Sequence, residues 1–134
     1  MRALVVDDFV TMRRVVRSLL RETGFADADI VEASNGAAAL ERLRDEAFDV
    51  VVTDIEMPTL GGFELLSAIR RDARWRHLPV LMVTAEARKD EIVRCTHAGA
   101  TAYLVKPFSR AVLAEKLRAA LPAASFAADE RASS

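Results

Sequence analysis

Short hydrophobic runs alternate with amphipathic segments along most of the chain. Five runs, at residues 4–6, 30–32, 50–53, 80–83 and 103–105, are rich in valine, isoleucine and leucine. Runs of this length and composition are typical of strands buried on both faces of a parallel sheet. The apolar residues between the runs recur at helical spacing, so the pattern predicts a repeating strand–helix unit.

The first amphipathic segment shows the helical pattern. It ends at Gly24, a residue type that is common just after the last helical turn. The apolar face of this predicted helix consists of Met12, Val15, Val16, Leu19 and Leu20. The opposite face is a row of arginines, which we interpret as a solvated surface that could also steer an acidic partner. Its members are Arg13, Arg14, Arg17 and Arg21.

Turn and capping residues mark the other four helices. They are Asn35-Gly36 before the second, Gly61-Gly62 before the third, Gly99 after a fourth over residues 89–98, and Ser109 before a fifth that ends before Pro122. Five strand–helix units of this kind predict an α/β fold, a (βα)5 doubly wound parallel five-stranded sheet with helices on both faces. We predict one domain over residues 1–121. Residues 122–134 are poor in apolar side chains, and we expect a mobile tail or linker there.

Composition narrows the functional classes. The 134 residues include 19 basic and 20 acidic side chains, and this balance argues against nucleic acid as a partner. No apolar run approaches the roughly 18 residues of a membrane-spanning helix, so we expect no membrane segment. The single cysteine, Cys95, cannot form an internal disulfide, and the first run begins too early for a signal peptide. We therefore expect a cytoplasmic protein.

Chemically capable side chains follow four of the runs. Asp7-Asp8 follow the first, Asp54 the third, Thr84 the fourth and Lys106 the fifth. In an open parallel sheet, functional groups gather in the crevice beyond the carboxyl ends of the strands. We therefore expect these acids, this hydroxyl and this amine to meet at one edge of the sheet.

Together these groups predict phosphoryl transfer to a carboxylate. Asp54, held at a strand end, is the candidate nucleophile and would form an acyl phosphate. Asp7 and Asp8 would repel it unless a cation lay between them, and Mg²⁺ prefers such oxygen ligands. Lys106 and Thr84 would then contact the transferred group, one as a point charge and the other as a hydroxyl donor.

The order and spacing of these residues resemble the receiver domain of two-component response regulators. The resemblance covers about residues 2–121. The motifs that carry it are Asp7-Asp8, Asp54 followed by Met57-Pro58, Thr84-Ala85 and Lys106-Pro107. Within that family the chain is most similar to single-domain chemotaxis regulators of the CheY type, through residues 8–14, 79–87 and 105–108. The family implies a flavodoxin-like strand order of 2-1-3-4-5.

The resemblance also implies a set of ligands. A histidine kinase would donate a phosphoryl group to Asp54. Asp8, Asp54 and the main-chain carbonyl of Glu56 would bind Mg²⁺ directly, and Asp7 would act through water. The domain would be a signalling phospho-acceptor rather than an enzyme, and would catalyse only its own phosphotransfer and dephosphorylation.

The family's switch is implied for two further positions. Thr84 would move toward the phosphoryl group, and Tyr103 would turn inward into the space left behind. The surface formed by the fourth helix, fifth strand and fifth helix would then bind a flagellar motor switch protein or another output protein. A phosphatase would be a further partner. The family also holds the Lys106-Pro107 bond in cis.

Two positions depart from the family pattern. Glu56 stands where the similar chemotaxis regulators carry an amide, and it adds an acid near the phosphoryl group. The sequence does not determine whether this acid lengthens or shortens the lifetime of the phosphorylated form. Gly61-Gly62 stands where the family usually has Asp-Gly, and we interpret it as a tolerated loop variation.

Other interpretations remain open. Taken singly, Asp8, Asp54 and Lys106 could be a helix cap, a turn residue and a surface amine. A Mg²⁺-dependent phosphatase of the haloacid dehalogenase type also forms an aspartyl phosphate, but usually carries its nucleophile on the first strand. A pseudo-receiver would have lost one of these residues, and a receiver excised from a longer transcriptional regulator would keep them. We interpret the remaining reactive or aromatic candidates as surface or packing residues: His77, His97, Cys95 and Trp75.

Overall fold

The computed structural model describes residues 1–86 and 88–121. Within these ranges, strands and helices alternate as predicted. The elements are β1 (Ala3–Val6), α1 (Val10–Glu22), β2 (Ile30–Ala33), α2 (Gly36–Asp45), β3 (Val50–Asp54), α3 (Gly62–Arg71), β4 (Val80–Thr84), α4 (Lys89–Ala98), β5 (Ala102–Val105) and α5 (Arg110–Ala120). A 3₁₀ turn at Asp27–Asp29, which the hydrophobic pattern did not predict, precedes β2. The predicted tail, residues 122–134, lies outside the described residues.

The strands form one parallel sheet in the order β2-β1-β3-β4-β5. This order confirms the flavodoxin-like arrangement. The chain runs from β1 outward to β2 and then returns past β1 to β3, so the order reverses between β1 and β3. Val6 of β1 is paired with Thr53 of β3, which brings the next residues, Asp7 and Asp54, to neighbouring positions at the carboxyl edge.

Two apolar layers cover the sheet. Alternate strand residues such as Val5 and Val52 pack with α1 and α5 on one face. Their neighbours, such as Leu4 and Val51, pack with α2, α3 and α4 on the other. Because both faces are covered, the strands are apolar throughout and their functional groups stand at the ends.

Local chemistry fixes the helix boundaries. Asn35 Oδ1 accepts a hydrogen bond from Ala38 N at 2.9 Å, and Ser109 Oγ accepts one from Val112 N at 3.2 Å. Both contacts are N-caps, which satisfy main-chain donors that have no partner inside the helix. Gly99 closes α4 in the left-handed region at φ 92°. These predicted boundaries are confirmed.

Gly62 has a packing role that the sequence pattern did not show. The amide of Gly62, the first residue of α3, donates to the Ile55 carbonyl at 2.8 Å. A Cβ at Gly62 would overlap the Asp54 carbonyl oxygen and lie 2.8 Å from Ile55 Cα. The absence of a side chain therefore lets α3 begin directly against the end of β3, beside Asp54.

Two predictions for α1 are wrong. Val15 is 45% exposed, because the core-facing stripe runs through Val16 and Leu20. Arg13 and Arg17 are not a free solvated surface, since their Nε atoms lie 2.9 and 2.8 Å from the two carboxylate oxygens of Glu32 on β2. They join the helix to this edge strand. Their neighbours Arg14 and Arg21 are exposed, as predicted.

Candidate functional site

Three aspartates converge at the carboxyl ends of β1 and β3. One carboxylate oxygen from each of Asp7, Asp8 and Asp54 lies within 4.8 Å of the others. Asp7 and Asp54 are only 3% and 9% exposed. Three carboxylates at this separation disfavour one another's ionised form, so the arrangement calls for positive charge nearby.

Lys106, directly after β5, supplies one positive charge. Its Nζ lies 3.2 Å from Asp7 Oδ2 and 3.4 Å from Asp54 Oδ1. The following bond to Pro107 is cis, as predicted. One ammonium beside three carboxylates leaves a formal excess of two negative charges in this group.

The surroundings of Asp54 shift its protonation. Burial raises the pKa of Asp54 to about 6, and the nearby Asp7 carboxylate also favours a higher pKa. Two groups act in the opposite direction and lower the pKa. They are the Lys106 ammonium and the Ile55 amide, which donates a hydrogen bond to Asp54 Oδ1 at 3.0 Å. The net upward direction means that Lys106 does not fully compensate the buried negative charge. A further cation would favour the ionised carboxylate.

Asp8 provides a test of whether a metal fits. Its Oδ1 is buried, and the described residues supply no hydrogen-bond partner for it. A buried polar atom left unpaired is unfavourable and calls for a water or an ion. With Asp7 and Asp54 nearby, the donor set is made of carboxylate oxygens, which suit a hard divalent cation. The residues therefore fit a metal site of this kind.

These groups open onto a cavity of about 470 Å³. Asp8, Asp54, Thr84 and Lys106, all singled out from the sequence, line it. The exposed Glu56 lines it as well. Further charged residues on the wall were not predicted from the sequence: Glu86, Arg88 and Glu91.

Thr84 is held on the α4 side of this cavity. Its Oγ1 lies 2.5 Å from Glu91 Oε1 and 3.0 Å from the Glu86 carbonyl oxygen, and it accepts from Glu86 N at 3.3 Å. Glu91 belongs to the first turn of α4. The hydrophobic pattern contains no signal for this contact, because it depends on how the loop between β4 and α4 folds.

Tyr103 lies on the same sheet face as Thr84. Thr84 is paired with Val105 on β5, and Tyr103 stands two residues earlier on that strand, opposite Met82. The Tyr103 ring is partly buried, and Lys116 Nζ of α5 lies 5.9 Å from its centroid. Tyr103 and Lys116 line a separate cavity of about 290 Å³ together with Cys95 of α4.

The residues interpreted as surface or packing groups lie away from the aspartates. Cys95 is buried, and burial raises the pKa of its thiol. Trp75 packs at the edge of the core, while His77 and His97 are exposed. Trp75 and His77 border a groove of about 900 Å³ at the amino ends of the strands, opposite the aspartates.

A comparison with known protein families shows the family to which the chain belongs. The sequence model for the response regulator receiver domain matches residues 3–118. The chain belongs to this family. Chemotaxis protein CheY of Pseudomonas aeruginosa is 50% identical over 117 residues, which cover 87% of this chain and 93% of that protein. Chemotaxis protein CheY-3 of Vibrio cholerae is also 50% identical, over 87% of this chain and 88% of that protein.

Solved receiver structures agree with this assignment. The structure of Vibrio cholerae CheY4 aligns with a TM-score of 0.81 at 32% identity, over 90% of this chain and 98% of that one. A putative response regulator from Chloroflexus aurantiacus aligns with a TM-score of 0.81 at 28% identity, over 87% of this chain and 93% of that one. The predicted CheY-type receiver, a chemotaxis response regulator of a two-component system, is confirmed. It is a signalling domain rather than a classical enzyme.

Within residues 1–86 and 88–121, no helix combines the length and the apolar character needed to cross a membrane.

Proposed function

We propose that this receiver is a switch in which Asp54 accepts a phosphoryl group from a histidine kinase with the help of Mg²⁺. The observation that carries the proposal is the position of Asp54. It lies within 4.8 Å of Asp7 and Asp8 and 3.4 Å from the Lys106 ammonium, at the edge of an open cavity. A carboxylate in such surroundings is suited to nucleophilic attack on phosphorus.

The contacts of Asp54 distinguish its two oxygens. Oδ1 accepts a hydrogen bond from Ile55 N and faces Lys106. Oδ2 has no hydrogen-bond partner among the described residues, so we expect Oδ2 to attack. The new O–P bond forms as the P–N bond of the phosphohistidine breaks. The electron pair stays on the histidine nitrogen, which then takes up a proton, and Asp54 becomes an acyl phosphate.

Lys106 and Thr84 would contact the transferred oxygens. Lys106 Nζ is already oriented by Asp7 and lies beside Asp54, so its charge stands where negative charge develops. Thr84 lines the same cavity and would donate its hydroxyl proton to another phosphoryl oxygen. The two side chains together would take over hydrogen bonds that water makes to the free anion.

Asp8, Asp54 and the main-chain carbonyl of Glu56 would hold Mg²⁺, with Asp7 acting through water. When bound, Mg²⁺ supplies positive charge that neutralises the carboxylates and the transferring oxygens. The unpartnered Oδ1 of Asp8 supports this assignment. Hydrolysis would end the signal when a water attacks phosphorus and releases inorganic phosphate, either unaided or with a phosphatase as partner.

The output would be a change in the surface formed by α4, β5 and α5. A phosphoryl group on Asp54 would draw Thr84 toward it, and Tyr103 would turn into the space that Thr84 leaves. A group that binds one packing better than the other shifts the population toward it. Because the similar proteins are named chemotaxis proteins, we propose a flagellar motor switch protein, or another output protein, as the reader of this surface.

Intact mass spectrometry with acetyl phosphate and Mg²⁺ tests the proposal. The wild-type chain should gain the mass of one phosphoryl group, because Asp54 displaces acetate from phosphorus. Asp54→Asn should gain none, while Asp45→Asn, at an exposed position on α2, should match wild type. Removal of the metal with a chelator should abolish the gain. A labile phosphoryl group on Asp54→Asn at the wild-type rate would contradict the proposal.

A further inference from the structure

The hydroxyl that we expect to contact the phosphoryl group is already engaged. Thr84 is 6% exposed, and its Oγ1 lies 2.5 Å from Glu91 Oε1. A threonine hydroxyl has one proton to donate. The alternative acceptor, the Glu86 carbonyl oxygen, is farther away at 3.0 Å and is uncharged. The proton is therefore donated to the Glu91 carboxylate, since hydrogen bonds to ionised acceptors are shorter and stronger than neutral ones.

Glu91 belongs to the site without having a role in the phosphoryl transfer. It lines the same cavity as Asp54 and Lys106, and it stands in the first turn of α4. Thr84 cannot donate its single proton to a phosphoryl oxygen and to Glu91 at once. Engagement of the phosphoryl group therefore requires that the hydrogen bond from Thr84 to Glu91 breaks.

We propose that Glu91 is a positioning residue that holds Thr84 in the unphosphorylated arrangement and links its release to α4. This inference rests on the proposed function of Asp54 and Thr84. The Glu91 carboxylate competes with the phosphoryl group for one proton, so it raises the threshold for activation. Because Glu91 is part of α4, loss of this hydrogen bond changes the anchoring of the helix that contributes to the output surface.

Beryllofluoride with Mg²⁺ provides the probe, since this tetrahedral anion stands in for a phosphoryl group on a carboxylate. Calorimetric titration of the purified chain gives its apparent Kd. A neutral acceptor holds the Thr84 proton less strongly, so Glu91→Gln should bind beryllofluoride about tenfold more tightly than wild type. An unchanged or weaker affinity would overturn the inference.

Two controls separate the hydrogen bond from the loss of a negative charge. Glu86→Gln removes one charge from the same cavity wall but leaves the side-chain contact of Thr84 with Glu91 in place, so its gain should be much smaller. In a Thr84→Val background the hydroxyl is missing, and Glu91→Gln should then raise the affinity no more than Glu86→Gln does. An equal gain in both backgrounds would show that only charge matters, and would overturn the inference.

The same titrations distinguish this inference from the proposed function. If the wild-type chain binds beryllofluoride through Asp54 and Glu91→Gln binds it equally well, the inference alone fails. If neither wild type nor Glu91→Gln binds it in the presence of Mg²⁺, both the proposed function and the inference fail.

Discussion

Asp54 is the residue whose surroundings define the chemistry of the site. The end of β3 holds its main chain, Ile55 N and Lys106 hold one carboxylate oxygen, and Asp7 and Asp8 supply the neighbouring acids. Burial makes the ionised carboxylate less favourable, and a cation would reverse that preference. The charge of this proposed nucleophile therefore depends on the groups that assemble around it.

Glu56 gives a residue-scale prediction, because its exposed carboxylate lines the same cavity as Asp54 and Lys106. Glu56→Asn should weaken the apparent affinity for Mg²⁺ by about threefold, as expected for loss of one partly screened charge. It should also change the rate of dephosphorylation, measured by the decay of the phosphorylated mass. The main-chain carbonyl remains, so metal binding itself should survive. Equal affinity and equal decay in the two proteins would show that the carboxylate takes no part.

At this scale, the sequence predicted groups that stand directly at strand ends. Asp7, Asp54 and Lys106 were identifiable because parallel strands bring their carboxyl ends to one edge. Glu91 was not, because its side chain reaches Thr84 from the following helix. Contacts of this kind depend on the loop between two elements, and periodicity describes only the elements.

The main elements around the site are attached to one another by a few specific contacts. Arg13 and Arg17 of α1 hold Glu32 on the edge strand β2, and Arg17 also donates to the Ile30 carbonyl at 2.8 Å. Gly62 lets α3 begin against the end of β3. The helical pattern predicted both helices, but it could not predict these attachments, since it does not reveal which polar side chains face a neighbouring strand.

Glu32 provides a prediction with a defined pH dependence. Burial alone would raise the pKa of Glu32, but hydrogen bonds from Arg17 and Arg13 outweigh it and lower the pKa below 4.5. The stabilisation is therefore present above the unfolded pKa and is lost as the pH falls through the folded one. Glu32→Gln should reduce the free energy of unfolding at pH 7 by about 1–2 kcal/mol.

Urea unfolding at several pH values measures this effect. The difference between Glu32→Gln and wild type should shrink as the pH falls below 4.5. Glu22→Gln, at an exposed position at the end of α1, should leave stability nearly unchanged. A constant difference across the pH range would contradict the role of the ionised carboxylate.

The glycine pair before α3 supports a second prediction at this scale. Gly62→Ala should destabilise the fold by about 1–3 kcal/mol, because the new Cβ meets rigid main-chain atoms of Asp54 and Ile55. Its displacement of β3 should also slow phosphorylation by acetyl phosphate. A Cβ at Gly61 would lie nearest to the flexible Glu64 carboxylate, so Gly61→Ala should reduce the stability of the fold clearly less than Gly62→Ala. Thermal unfolding compares the two, and equal losses would contradict the packing argument.

On the scale of the whole molecule, one sheet connects the proposed phosphoryl site with the proposed output surface. Thr84 ends β4, Tyr103 stands on the adjacent β5, and the two side chains share a face of the sheet. The hydrophobic pattern predicted the number and type of elements. The strand order followed from the family resemblance, because periodicity contains no information on which strands are neighbours.

A substitution at Tyr103 tests whether transfer of the phosphoryl group can be separated from the proposed change at the output surface. Tyr103→Ala should leave phosphorylation of Asp54 nearly unchanged, because the ring lines a different cavity from the aspartates. Its binding to a purified flagellar motor switch protein should weaken about fivefold or more, as is common when an aromatic residue is truncated at an interface. Tyr103→Phe retains the ring and should lose less of this binding affinity. Lost phosphorylation with unchanged binding would reverse the assigned roles.

Amide NMR spectra, recorded with and without acetyl phosphate and Mg²⁺, test the central claim most directly because they observe the site and the output surface together. In the wild-type chain, we predict that signals of Asp54 and Thr84 shift, and that signals of α4 and Tyr103 shift with them. Asp54→Asn should show none of these phosphorylation-dependent changes. Identical changes in Asp54→Asn, or changes in wild type confined to the surroundings of Asp54, would contradict the account.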